Sequence, residues 1–217
     1  MVRPTYDIPR DTLYFSPTSP EVRYLCAQDD DMARLVACVG EVRVDIEADG
    51  FISLARAICD QQISIHASRA IWGRFAHRCA GDVTPEAVAS LEEGEMRACG
   101  FSQRKVSYLK DLAEKTVTGV LDFESMRERD DQAIIDELVQ VKGIGRWTAE
   151  MYLIFALKRP DVFALDDGGL RRAVCALKGL ESSAPKALIE AVSEQWAPQR
   201  TCASLYLWRS LDNTPME

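Results

Sequence analysis

Residues 141–174, VKGIGRWTAEMYLIFALKRPDVFALDDGGLRRAV, gather side chains whose types and spacing could do chemistry. Gly143 and Gly145 flank Ile144. Glycine permits positive φ and exposes backbone N–H groups, so the pair can cradle a phosphate while Ile144 anchors the turn in the core. A helix starting near Arg146 adds the positive end of its dipole, and Lys142 adds a point charge. Such a turn grips a DNA backbone without reading its sequence. Gly-x-Gly also joins ordinary antiparallel helices; the cations at 142 and 146 favour the grip. Further on, Asp161, Asp166 and Asp167 precede Gly168-Gly169. Two roles fit Asp166 and Asp167. Spacing alone favours a cap for a helix over 168–177. The alternative is a fixed negative charge, kept ionised by the helix dipole, with the glycines leaving room for a substrate.

The elements that must position these groups read as helices. Residues 103–118 place Val106, Leu109, Ala113 and Val117 on one face behind a Ser102 cap, and Thr84-Pro85-Glu86 is a second helix start. Ser64 can cap a helix carrying Ile71, Phe75 and Cys79. Further helices are expected near 30–39, 50–59, 131–140, 146–157, 168–177, 185–196 and 199–211. Only 41–46 alternates like a strand. The first ~25 residues, rich in Pro, Ser and Thr, read as an arm or loosely packed lead-in. No tandem repeat and no flexible linker divides the rest. The expected fold class is all-α.

The chain has 217 residues and a net charge of −8, which weighs against nucleic-acid binding unless positive charge is local. Between Lys142 and Lys178 seven basic residues face four acidic ones, a local excess of three. The seven cysteines include no CxxC pair, and there are two histidines, His66 and His77, so no zinc or iron–sulfur ligand set can be drawn. Reduced thiols are expected. Neither a secretory leader nor a run of ~20 apolar residues is visible, so the expected setting is intracellular, cytoplasm or nucleoid, or nucleus in a eukaryote.

Residues 141–174 resemble the hairpin and aspartate signature of the helix-hairpin-helix glycosylase superfamily, and more narrowly the DNA-3-methyladenine glycosylase II family. The resemblance extends to Asp60-Gln61-Gln62-Ile63-Ser64, to GFSQRKVSYLKDLA at 100–113 and to a C-terminal helix ending at Trp208, about residues 48–208 in all. It is to the short form, without the N-terminal β-domain of larger members. It implies that Asp167, the second of the pair, is the catalytic carboxylate, leaving Asp166 as a cap or structural residue. Trp147 stands where bifunctional relatives carry a Schiff-base lysine, so no lyase activity is expected. Trp147, Met151 and Trp208 would line the base pocket. Met151 replaces a tyrosine of the family pattern and offers neither its ring nor its hydroxyl. Trp72 and Trp196 read as core.

Gln62 matches the residue that fills the gap left by a flipped base, where larger relatives use leucine; a polar loop residue fits its position equally on sequence alone. Ser64 could assist, and His66 less so. With Lys142, Gly143, Gly145 and Arg146 these form the expected DNA-binding set. The expected organisation is an arm at 1–17, a hairpin subdomain at 48–159, and a second helical subdomain from 18–47 and 160–217, with DNA in a cleft between them. The expected activity is monofunctional hydrolysis of the N-glycosidic bond of 3-methyladenine- or 7-methylguanine-type bases in duplex DNA during base excision repair, by a monomer. A non-enzymatic helix-hairpin-helix DNA-binding module and a glycosylase for other damaged bases are the alternatives. No cofactor and no metal is expected, apart from a monovalent cation that the resemblance allows at the hairpin carbonyls, and no membrane partner.

Overall fold

The computed structural model describes residues 11–212, with twelve α-helices and one two-stranded sheet among them. In chain order these are β1 (Asp11–Phe15), α1 (Pro20–Gln28), α2 (Asp30–Val39), β2 (Val42–Ile46), α3 (Gly50–Asp60), α4 (Ile65–Arg78), α5 (Pro85–Ser90), α6 (Glu93–Ala98), α7 (Gln103–Val117), α8 (Asp131–Leu138), α9 (Arg146–Phe155), α10 (Gly168–Lys178), α11 (Lys186–Glu194) and α12 (Arg200–Asp212). The expected caps are in place. Ser64 accepts from Ala67 N–H, Thr84 from Ala87 N–H and Ser102 from Lys105 N–H.

The N-terminal expectation needs correction. The arm expected at 1–17 contains strand β1, paired antiparallel with β2 in the register Phe15↔Val42 and Asp11↔Ile46; residues 1–10 lie outside those described. Helix α1 follows within the supposed lead-in. Pro20 occupies the first helical position, where its missing N–H costs no bond, and Val22 and Leu25 are fully buried. Helix α6 also escaped the apolar pattern; a reciprocal capping box between Glu92 and Glu95 starts it.

The chain divides into two compact units. Residues 47–152 form one, in which α7 is the central helix, packed on α3, α5 and α6 with Val106, Leu109, Leu112 and Ala113 fully buried. The other comprises the described parts of 1–46 and 153–217 and is built around α12, which packs on α1, α2 and α10. Residues Thr201–Leu207 of α12 are buried without interruption, so this helix has no solvent face there. Its polar members are satisfied locally: Thr201 Oγ1 donates to Arg159 O at 2.6 Å, and Ser204 Oγ to Arg200 O at 2.8 Å.

Asp29 joins four segments of the second unit. It caps α2 through Asp31 and Met32 N–H, and accepts from Lys178 Nζ at 2.7 Å and from the buried Trp196 Nε1 at 2.9 Å. Burial pushes its carboxyl up, but the bonds from Lys178, Trp196 and Met32 outweigh that and hold it below the usual carboxylate range. Trp196 is thereby core, as expected, and so is Trp72. Asp29→Ala should destabilise the protein by about 3 kcal/mol at pH 7, measured by urea unfolding. A depressed folded pKa contributes stability above the unfolded value, near 3.9, and loses it as pH falls through the folded value. The gap between parent and variant should therefore begin to narrow near pH 4 and go on narrowing as the pH falls through the depressed folded value.

Candidate functional site

In the first unit α8 ends at Leu138, and a turn through Val141–Gly145 leads into α9. Gly143 has φ +80°, and a Cβ there would lie 2.1–2.5 Å from three atoms of the Tyr108 ring. Glycine is thus required twice over, by backbone conformation and by the aromatic ring lying on the turn. Ile144 is buried, as expected, and its N–H donates to Val141 O at 3.1 Å. Gly145 differs from the expectation: it is not among the residues with positive φ, its C=O accepts the Ala149 N–H that opens α9, and a Cβ would meet nothing within 4 Å. Its value lies in open approach, not in conformation.

A buried carboxylate on α7 holds the turn. Asp111 Oδ2 accepts the backbone N–H of Lys142 at 2.9 Å and Lys115 Nζ at 2.7 Å, while Lys142 Nζ lies 3.5 Å from Oδ1. Burial pushes Asp111 up; the bonds from Lys115 and Lys142 N–H prevail, and its pKa lies below the usual value.

The 60–64 loop between α3 and α4 is fixed to the same helix and the same turn. Lys105 Nζ of α7 donates to Cys59 O at 2.7 Å, and Gln61 Nε2 donates to Gly143 O at 2.9 Å. Asp60 and the buried Ser68 hydroxyl are also bonded. Gln62 stands between these ties, exposed and at φ +56°, a left-handed conformation that a non-glycine residue adopts uncommonly. Ser64 spends its hydroxyl on the α4 cap, and His66 is exposed beyond it. Gln61 has no assigned role among the expected site residues; its polar type within the 60–64 motif is the signal that marks it.

Four of the seven basic residues of the segment 142–178 are paired with acidic side chains. Lys142 pairs with Asp111, and Arg146 with Glu150 at 2.9 Å and Gln132 at 3.3 Å. Lys158 pairs with Asp11, and Lys178 with Asp29 and Asp31. At the hairpin carbonyls, Val141 O accepts from Ile144 N–H and Gly143 O from Gln61 Nε2. Among the described residues no cluster of His, Cys, Asp and Glu could hold a metal ion. Trp147, in the first turn of α9, is 46% exposed, which is unusual for a tryptophan that merely fills a core. Met151, one turn on, is half-buried. The adjacent Tyr152 does not replace the missing pocket tyrosine: it is buried, tilted against Phe123 with ring centroids 6.0 Å apart, and burial raises its pKa.

In the second unit Asp167 is itself the N-cap of α10. Its Oδ1 accepts from Leu170 N–H at 2.7 Å and from Trp208 Nε1 at 3.1 Å. The expectation that Asp166 is the cap is corrected; Asp166 is exposed and paired with Lys186. Gly169 also has a different purpose from the one expected. A Cβ there would lie 2.9 Å from Asp167 Oδ1 and 3.6 Å from Trp208, so its absence admits the carboxylate itself, while Gly168 meets only Arg172 at 3.6 Å. Trp208 is half-buried and stacks on Phe155, with centroids 6.0 Å apart and planes at 29°. Asp161 is structural: it forms a two-pronged pair with Arg200 at 2.7 and 2.8 Å, and despite burial these bonds keep its carboxyl below the ordinary range.

Residues 55–199 match the model of the HhH-GPD superfamily of base excision DNA repair proteins. A curated relative, DNA-3-methyladenine glycosylase 1 of Schizosaccharomyces pombe, is 37% identical over 207 residues, 93% of this chain and 90% of the relative. Among solved structures, a DNA-3-methyladenine glycosidase from Bacillus halodurans superposes with TM-score 0.84 at 36% identity, covering 91% of this chain and 92% of that one. The 3-methyladenine DNA glycosylase of S. pombe in complex with abasic DNA gives TM-score 0.79 at 36% identity, covering 89% and 97%.

The two hairpin glycines should respond differently. Gly143→Ala should cost about 2–4 kcal/mol in urea unfolding, from the ring contact and the positive φ together. Tyr108→Ala in the same chain should recover part of that loss, which a double-mutant cycle measures. Gly145→Ala should leave stability within about 1 kcal/mol and instead weaken binding to undamaged duplex, read by fluorescence anisotropy.

Proposed function

The chain belongs to the HhH-GPD superfamily of base excision DNA repair proteins, and from that membership we propose that it is a monofunctional DNA glycosylase releasing 3-methyladenine-type alkylated bases from duplex DNA. The observation that carries the mechanism is the Asp167 carboxylate, held by the Leu170 N–H and the Trp208 indole at the start of α10. Two fixed donors hold the carboxylate in one orientation at the positive end of the α10 dipole. A preorganised anion of this kind stabilises the oxocarbenium-like sugar that forms as a glycosidic bond breaks.

Alkylation at a ring nitrogen makes the purine cationic, and the exposed face of Trp147 offers such a base a cation–π contact of about 0.5–2 kcal/mol. The glycosidic electron pair leaves with the base and cancels its positive charge. Water adds to C1′ and releases a proton, giving free base and an abasic site. Because the leaving group is activated already, the scheme does not depend on a strong general acid. Trp147 in the place of the Schiff-base lysine supports hydrolysis without strand cleavage. Met151, one turn on from Trp147, is proposed as a further base contact, and Trp208 as the residue that steadies Asp167. Gln62 is proposed to fill the stack, and the 142–146 turn to hold the backbone.

Asp167→Asn should reduce single-turnover base release from a methylated-purine duplex by about a hundredfold or more, with the melting temperature little changed. Asparagine caps helices about as well as aspartate and keeps an acceptor for Leu170 and Trp208, so a carboxylate that only caps predicts an unchanged rate. Asp166→Asn removes a surface pair and should cost little. An undiminished rate in Asp167→Asn would leave this carboxylate a cap only, and a parent that releases no base would leave a DNA-binding module.

A further inference from the structure

Lys142 and Arg146 are each held by a carboxylate, which leaves open what positive charge the hairpin presents to DNA. Arg104 answers that description. It is exposed on the first turn of α7, and its Nε donates at 3.3 Å to the hydroxyl of Tyr108, one helical turn on. Tyr108 is the residue whose ring lies on Gly143. The guanidinium is therefore carried on the far end of the side chain that packs against the phosphate-gripping turn. Its partner is a hydroxyl, and among the described residues it enters no ion pair with a carboxylate that would offset its field. Only Nε is engaged, so both Nη groups are open for the forked contact that arginine makes with phosphate.

We propose that Arg104, steadied by Tyr108, is a further DNA-backbone contact, binding a phosphate beside the one at the Gly143–Gly145 turn. The inference rests on the reading of this chain as a DNA glycosylase. It gives α7 a direct part in binding, in addition to its part in mounting the loop and the hairpin. The contact carries no base information, because a phosphate looks the same beside every base. It places the unneutralised charge of the hairpin on a residue about 40 positions earlier in the sequence.

The test is the affinity for an undamaged duplex measured across a salt series, for the parent, Arg104→Gln, Arg104→Lys and Tyr108→Phe, with thermal melting of each as a fold control. Arg104→Gln should weaken binding about threefold to tenfold on any sequence and lower the slope of log K against log salt by about 0.9, with melting unchanged. Arg104→Lys should keep the slope and lose part of the affinity, because the charge remains without the fork. Tyr108→Phe keeps the ring on Gly143 and should also keep the slope. An Arg104→Gln protein whose slope equals the parent's would overturn the inference, whether its affinity falls or not. A parent that shows no salt-dependent duplex binding would sink the functional reading, and this inference with it.

Discussion

A carboxylate taken out of water must find donors or give up its charge. Asp111 meets that requirement with Lys115 on its own helix and with the backbone N–H of Lys142 in the hairpin, and the shape of the proposed DNA-binding surface follows from it. Because one acceptor serves both α7 and the turn, the turn cannot move without exposing a buried anion. Tyr108 closes the same joint from the other side by covering Gly143, and Lys105 ties α7 to the end of α3. Gln61 then bonds the loop to the hairpin directly. Two surface features, each too short to be rigid alone, are thus held in fixed relation by one helix. That is the condition for recognising a backbone through positioned N–H groups.

The second unit uses the same device for a different purpose. Asp29 draws α2, Lys178 and Trp196 together through a buried carboxylate, and its worth is stability. Asp167 is also a cap with an indole donor, but it is half-exposed at the start of its helix. The comparison explains why capping and catalysis need not be alternatives. The donors that a cap supplies also hold a carboxylate immobile, and a carboxylate meant to face a developing cation needs that fixed position. Gly169 makes the arrangement possible, since a side chain there would collide with the carboxylate oxygen.

Charge shows where counting along the chain fails. The segment 142–178 carries three excess positive charges, yet Lys142, Arg146, Lys158 and Lys178 are each matched by an acidic side chain, at 111, 150, 11 and 29. Three of these four carboxylates are buried, and every such pair weakens the field that a phosphate would sense. An arginine from outside the segment, bonded to a tyrosine hydroxyl, keeps a field that the counted residues have partly spent.

The sequence by itself determined the helical fold class, because apolar spacing and Ser, Thr and Pro signals at helix starts are local properties. It also determined the hairpin, where Gly143, Ile144 and a following helix are contiguous, and the family, since the residues that carry the resemblance to the glycosylases stand in order along the chain. Strand β1 was not legible, because its five residues become a strand only by pairing with Val42–Ile46, some 30 residues away. Helix α1 was hidden by the Ser- and Pro-rich stretch around its own cap. The identity of the α10 cap hung on which of two adjacent aspartates points at Leu170 N–H, a choice made by backbone angles. That Gly145 is free of φ strain, that Gln61 binds the hairpin, and that Arg104 stands beside it while Lys142 is tied down were decided by tertiary structure alone. The Gln61–Gly143, Asp111–Lys142 and Tyr108–Gly143 contacts join residues far apart in the chain, and one-dimensional spacing carries no record of such contacts.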